Sequence, residues 1–396
     1  MRSYSFFLMI VLVVVLLGAC KPKQLPINII NLNDAQGIRK YTTIYALPKT
    51  VVRVNLKVEK TTYKKGPYHQ YANSYLGLNN IIDEDGQKWR IADVDFETYA
   101  IADTNNLYLI EMPDELSGIE IKLTKDGLLE AFCPEKMDAI DVFGKKEPLS
   151  VLESRIFSSN TRSTSEELSF DDVPLPKNLV SKNSTSEEAA FLSNQILTLR
   201  DDRAAILVGD GYTETMPADE ALKIMISSID KIQEKYISMF KGKTKKDTLY
   251  YSFDYVPIEP RKKTQSILFR FSEQFGIVEN TDVSGMPMII ELESCENLKQ
   301  YELFKKRQVY LKKLASKKEK EEVNGLFYRI PEIVDARLMV NDNILGQKKI
   351  QVVQFGSIHS LPVKYLDGNY KVEFYPELGS LKSIVKKENK DFEKKK

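Results

Sequence analysis

In residues 52–59 apolar and polar side chains alternate without a break. Val52, Val54, Leu56 and Val58 fall on one side, and Arg53, Asn55, Lys57 and Glu59 on the other. Successive side chains of a strand point to opposite faces, so this spacing predicts a strand with one face on a core and one in water.

The rest of the chain extends the same theme. Residues 89–101 and 107–112 read as strands. Residues 119–124 and 128–133 form a hairpin around the Lys125-Asp126-Gly127 turn. Between them and the first strand, residues 67–77 predict one short helix. Pro67 suits the first helical position, Tyr68, Tyr71, Ala72, Tyr75 and Leu76 share a stripe, and Gly77 ends it. These elements make an N-terminal β-rich domain over 41–152.

Composition then shifts. Ser, Thr and Asn dominate 157–165, and Pro174 and Pro176 interrupt the remainder, so 153–186 is a linker or long surface loop. Within it, 170–180 is apolar enough to lie along a domain surface. A helical hairpin over 187–245 comes next. Ser184 and Thr185 stand three residues before Glu187 and Glu188, a capping-box pattern, and Gly209 stops the first helix. Its partner starts at Pro217, carries Ile224, Met225, Ile229, Ile232, Tyr236 and Phe240 at helical spacing, and closes at Gly242. Short connections favour antiparallel packing of the pair. Strands return at 249–255, 266–271, 287–293, 326–330, 349–355, 370–374 and 381–385, giving a C-terminal β-rich domain over 246–385. The lysine-rich 305–322 and the charged tail 386–396 read as solvated segments. The expected fold class is α+β: two β-rich domains with a central helical hairpin.

The first residues have the plan of an export signal. Arg2 supplies positive charge, and 6–17 is an apolar run too short for a permanent span, which needs roughly 20 residues. Leu17-Gly18-Ala19-Cys20 has the order of a bacterial lipobox. Residues 1–19 are thus expected to be a lipoprotein signal peptide, with Cys20 the lipidation site and 20–40 a tether. The competing reading is an ordinary secretory signal beside a cysteine. Two acyl chains, palmitate among them, would anchor stably where one would not. Lys21 after the cysteine argues against inner-membrane retention, so the expected location is the outer membrane.

The chain carries 57 Lys and Arg against 56 Asp and Glu. A balanced surface gives no clustered basic face, so nucleic-acid binding is not expected. With Cys20 lipidated, Cys133 and Cys295 remain. One disulfide between them is open, and two isolated thiols is the simpler alternative. No CxxC spacing occurs and His69 and His359 are the sole histidines, so neither a metal nor a cofactor is expected.

Several segments together resemble a known family. Ala46-Leu47-Pro48-Lys49-Thr50, Gly66-Pro67-Tyr68 and Tyr71-Ala72 through Tyr75-Leu76-Gly77 match its N-terminal part. Gly209-Asp210-Gly211, Met216-Pro217-Ala218-Asp219, Phe269-Arg270-Phe271-Ser272, Tyr328-Arg329-Ile330-Pro331, Gln354-Phe355-Gly356 and residues 379–384 match later parts. The chain resembles a full-length DUF4831 protein. The resemblance implies an exported bacterial protein of unknown function with a lipoprotein-like N-terminus, and it brings no catalytic residues.

The best candidate ligand surface is Tyr68, His69, Tyr71, Tyr75 and Trp89, with Tyr63 nearby. Tyr and Trp combine an apolar face with a polar handle, which suits sugar stacking or protein contact. Tyrosines at helical spacing also suit the buried face of a short helix. Glycan hydrolysis would need two carboxyl groups about 5–10 Å apart, and Asp93 with Asp95, or Glu291 with Glu293, share a strand face at roughly 6.6 Å. No G-x-S-x-G occurs, and Gly209-Asp210-Gly211 lacks the spacing and lysine of a phosphate loop. Asp83-Glu84-Asp85-Gly86 is simplest as a turn. The expected function is a non-enzymatic, membrane-anchored envelope lipoprotein with a binding or structural role. Its partners would be the membrane through Cys20 and a glycan or an envelope protein. The alternative is a carbohydrate-active hydrolase using a carboxylate pair.

Overall fold

The alternating residues lie inside a single strand of 23 residues, Thr42–Lys64. The computed structural model describes residues 27–35, 42–113, 116, 118–134, 157–158, 168–179, 182, 184–209, 219–258, 263–295 and 325–386. The export signal, Cys20, the lysine-rich 305–322 and most of the C-terminal tail lie outside the described residues.

In chain order the elements are β1 (Asn28–Asn31), β2 (Thr42–Lys64), the short helix α1 (Ala72–Leu76), β3 (Gly86–Glu111), β4 (Ile119–Leu123), β5 (Leu129–Pro134) and β6 (Phe157–Ser158). Helices α2 (Thr185–Val208) and α3 (Asp219–Lys241) come after them, then β7 (Lys243–Tyr255), β8 (Lys263–Ser272), β9 (Gly276–Val278) and β10 (Met286–Ser294). The last are β11 (Gly325–Val340), β12 (Asn343–Pro362), β13 (Tyr370–Tyr375) and β14 (Ser380–Lys386). The chain is mostly β, with three antiparallel sheets and few helices. Their strand orders are β1-β3-β2-β7-β6, β12-β11-β10-β8-β9 and β14-β13-β5-β4.

The first two sheets face each other as a sandwich. Val52, Val54, Leu56 and Val58 meet Phe96 and Phe253 on their own sheet, and Ile290, Leu292, Val334, Leu338 and Phe355 from the other. Burying each such side chain contributes roughly 1.5–3 kcal/mol, so this layer is a principal source of stability. The third sheet packs beyond it, on the far ends of the same long strands. There Ile27, Ile29, Tyr45, Leu47 and Ile110 meet Phe132, Leu326, Leu361, Val372 and Phe374.

Two irregularities let single strands serve both cores. Between β2 and β3 the pairing passes from Ala46↔Leu107 to Pro48↔Ala102, so that 103–106 on β3 stand against Leu47 alone. Between β11 and β12 it passes from Ile330↔Ser357 to Glu332↔Val352, so that 353–356 on β12 stand against Pro331 alone. Such bulges bend a strand and reset which residues face the core. Odd-numbered Tyr45 and Leu47 point into the second core, whereas even-numbered Val52 to Val58 point into the first.

A helical layer closes the other end. Ser184 caps α2 by accepting from the Glu187 amide at 3.3 Å, as the capping pattern predicts, and Gly209 ends it at φ 77°. Leu192, Ile196, Tyr236 and Phe240 pack with Tyr68. Residues 168–179 run across this layer: Val173 and Leu179 are buried, and Pro174 accepts from the Tyr236 hydroxyl at 2.8 Å.

Three expectations differ. The boundary at 153–186 does not separate sheets: β7 pairs with β2, and β13 pairs with β5, so the first and third sheets take strands from both halves, while the second is built from the C-terminal half alone. The tether is shorter than 20–40, because Ile27 and Ile29 are buried in the second core and Asn28–Asn31 pairs with β3. Strand 326–330 continues to Val340 and turns through Asn341 and Asp342, both at positive φ, into β12. Two consecutive positive φ values are what a type I′ hairpin turn requires.

Candidate functional site

The structure brings four of the five aromatic and histidine candidates together and leaves the fifth elsewhere. Tyr68 is buried under α2 and α3, and its hydroxyl donates to Glu188 at 3.2 Å. Burial first, then the Glu188 carboxylate, pushes that hydroxyl's pKa up to about 12. Tyr71 and Tyr75 stack with centroids 5.7 Å apart. Tyr75 keeps 37 % of its surface, with its hydroxyl 3.1 Å from that of Ser186. His69 turns its Nδ1 to the Gly66 carbonyl at 2.9 Å. Trp89 instead packs on the first sandwich, beneath the Lys60 ammonium at 5.2 Å and against the backbone of Gly276.

The carboxylate pairs are tied to cations. Asp95 receives Lys348 at 2.8 Å, and that lysine also donates to the Phe96 carbonyl. Asp93 is exposed beside it. The Glu291 side chain is 1 % exposed and receives Lys263 at 2.8 Å, Arg337 at 3.0 Å and the Gln265 amide. Arg337 also holds Glu293 at 2.9 Å. Burial pushes the Glu291 carboxyl up, but the bonds from Lys263, Gln265 and Arg337 outweigh it and hold the group below its ordinary value.

A carboxyl depressed in the folded state contributes stability that is full above its unfolded pKa and lost as pH falls through the folded one. Stability should therefore fall as pH drops from about 5 toward 3, and Glu291→Gln should flatten that slope. Urea midpoints measured across this range check it; a slope unchanged in the variant would contradict the assignment.

The residues that sequence reading missed lie where the first core meets the second. Arg329 and Asp103, with side chains 7 % and 8 % exposed, pair at 2.6 Å. Asp103 also accepts from the Asn105 amide and the Asn106 side chain, and so organises the β3 bulge. Across the joint, the Gln354 side chain donates to the Thr50 carbonyl at 2.7 Å and accepts from the Thr50 amide at 3.0 Å. The Thr50 hydroxyl accepts from the Val353 amide, and the Arg329 amide donates to the Gly379 carbonyl. Beside this seam Ala46, Pro48, Tyr328, Phe374 and Gly379 line an apolar recess of about 10 Å³, room for about one water. The turn-forming Asp103-Thr104-Asn105-Asn106 between two strand-like runs is the one local sign at this place, and it gives neither the partner strand nor the change of core.

Elsewhere, the Asp83–Gly86 segment does turn work, since Asp85 accepts from the Lys65 amide at 2.7 Å. Cys133 is buried, Cys295 is exposed, and both are free thiols. Among the described residues no three His, Cys, Asp or Glu side chains group to hold a metal, and no helix is long and apolar enough to cross a membrane.

These observations define a two-tier, mostly β protein with a helical layer at one end and a polar seam between the tiers. The chain belongs to the DUF4831 family, a domain of unknown function whose family model matches residues 41–382. Four of the segments that carry the resemblance, around Thr50, Arg329, Gln354 and Gly379, meet at the seam. Neither a curated protein nor a solved structure matches the chain.

Proposed function

We propose that this protein is an exported lipoprotein, cleaved before Cys20 and anchored there by lipid to the outer membrane, with a binding or structural role and no catalysis. The body is one anchored scaffold of two β tiers and a helical layer. The observation that carries the non-enzymatic part is the pairing of the carboxylates. In each candidate pair at least one acid is engaged by Lys348, Lys263 or Arg337, which leaves no two free carboxyl groups facing one sugar. The exposed Tyr75, with the half-buried Tyr71 stacked on it, is the surface offered to a glycan or an envelope protein.

Cys20→Ala should move the protein from the membrane fraction to the soluble one with its fold intact, read by fractionation after a carbonate wash and by circular dichroism. Retention of the variant in the membrane would refute the anchor. For the partner, a glycan array with wild type and Tyr75→Ala separates the cases. Binding lost in the variant supports a glycan, and no binding by wild type leaves a protein partner or a structural role.

A further inference from the structure

We propose that the bilayer lies against the third-sheet end of the molecule and that the helical layer is presented away from it. This orientation rests on lipid attachment at Cys20, as proposed for the anchor.

The tether is short. Ile27 is 1 % exposed and Ile29 is 6 % exposed, so the folded body begins no later than residue 27. At most six residues, 21–26, then separate it from Cys20, and the seven steps from 20 to 27 at about 3.3–3.6 Å each reach roughly 25 Å when fully extended.

The strand it leads into sits at one extreme of the body. Glu111 pairs with Asn28 on one side and with Thr42 on the other, so β1 stands level with the beginning of β2. The opposite end of β2, Lys64, pairs with Lys243, the residue two after the end of α3. Between the two levels run the 23 residues of β2, on the order of 70 Å at strand spacing. A tether of roughly 25 Å fixed at one end of a body that long holds the β1 end at the membrane, and it cannot carry the anchor to the helical layer.

The side chains at that end suit a membrane surface. Pro362 pairs with Gly325 on the same side of the bulges as Thr42 and Glu111, and it leads into the turn Val363–Tyr365. There Lys364 is exposed, its ammonium 5.0 Å from the Tyr365 ring, and Tyr365 meets Tyr370 edge to face. Lysine and tyrosine are the residue types that settle at headgroup level. The helical end shows a different surface, with Leu207, Val208 and Ile224 exposed at the tip of the hairpin.

The test uses the lipidated full-length protein in vesicles of phosphatidylethanolamine and phosphatidylglycerol that carry a headgroup-labelled acceptor lipid. With Cys295→Ser removing the exposed thiol, a donor dye is placed through Asn33→Cys or Lys364→Cys at one end, and Asp202→Cys or Lys223→Cys at the other. Energy transfer should be several-fold stronger from positions 33 and 364 than from 202 and 223. Equal transfer from both ends, or stronger transfer from 202 and 223, would overturn the orientation while leaving the anchor standing. Failure of the protein to float with vesicles, together with an unmodified Cys20 mass, would instead remove the anchor and the orientation with it. Two positions at each end guard against a label that disturbs folding.

Discussion

Arg329→Met should cost about 3–5 kcal/mol of folding stability, because it leaves a buried carboxylate without its cation. Asp103 would keep the Asn105 amide and the Asn106 side chain as donors, two neutral groups in place of a guanidinium 2.6 Å away. Burial pulls the Arg329 pKa down, and the neighbouring Asp103 carboxylate offsets part of that pull. Each charge is thus tolerable at this depth only beside the other. Among the described residues the Arg329 Nε has no partner, a further desolvation cost that the native state already bears. It follows that the double variant Arg329→Met with Asp103→Asn should regain more than half of the single variant's loss, since neither position then buries a charge. Urea unfolding of the two singles and the double measures this as a coupling energy. A single-variant loss near the roughly 0–1 kcal/mol of exposed pairs would show that water reaches the seam.

The local elements were legible in the sequence, and the reason is that their signals are local. Ser184 and Gly209 cap α2 through groups within a few residues, and Val52 to Val58 alternate because one strand face is dry. The joint between tiers was not legible. At Ala46 to Pro48 the burial parity changes, so the alternation on either side contradicts itself when read as one strand. Asp103 and Arg329 are charged residue types, which are rarely buried unless paired, and their partner is 226 positions away. Strand β1 escaped notice for another reason: four residues are too few for a period to register, although Ile29 is among the buried residues of the second core. The sheet orders depend on pairings such as Val52↔Tyr255 that no window of sequence contains.

The candidate site obeys the same rule. The stripe Tyr68, Tyr71 and Tyr75 was visible as a helix face, and Tyr68 occupies the core as such a stripe ordinarily does. Trp89 was grouped with it by nearness in sequence, but the short helix and the loop after it turn away from β3, and Trp89 serves the other core. Glu291 and Glu293 were seen as a pair on one strand face. Their cations come from β8 and β11, so the ladder that neutralises them appears only once three strands are assembled.

Gly356→Ala should be the second severe lesion, and it tests whether the seam couples the two tiers. A β-carbon at this position would stand 1.8 Å from the Ile330 carbonyl oxygen and 2.8 Å from its carbon. Backbone atoms of a bulge cannot rotate aside as a side chain can, so the strands must part. Inserting one methyl into a packed core costs about 1–3 kcal/mol, and a collision with backbone should reach or exceed the upper end of that range. The neighbouring residues set the consequence. Gln354 holds Thr50 through both atoms of its amide, and Phe355 fills the first core, so displacing residue 356 strains a clasp on one side and a core side chain on the other. Gly86→Ala is the matched control, because nothing lies within 4 Å of its added carbon, and it should change stability by no more than about 0.5 kcal/mol. If the seam transmits stability, wild type unfolds in one urea transition, while Gly356→Ala opens the third-sheet tier first, seen as early amide exchange along β13 and β5. Two separate transitions already in wild type would mean that the tiers stand independently and that the seam's buried polar groups do not bind them together, and a variant shifted no further than Gly86→Ala would mean that residue 356 is not needed at the joint.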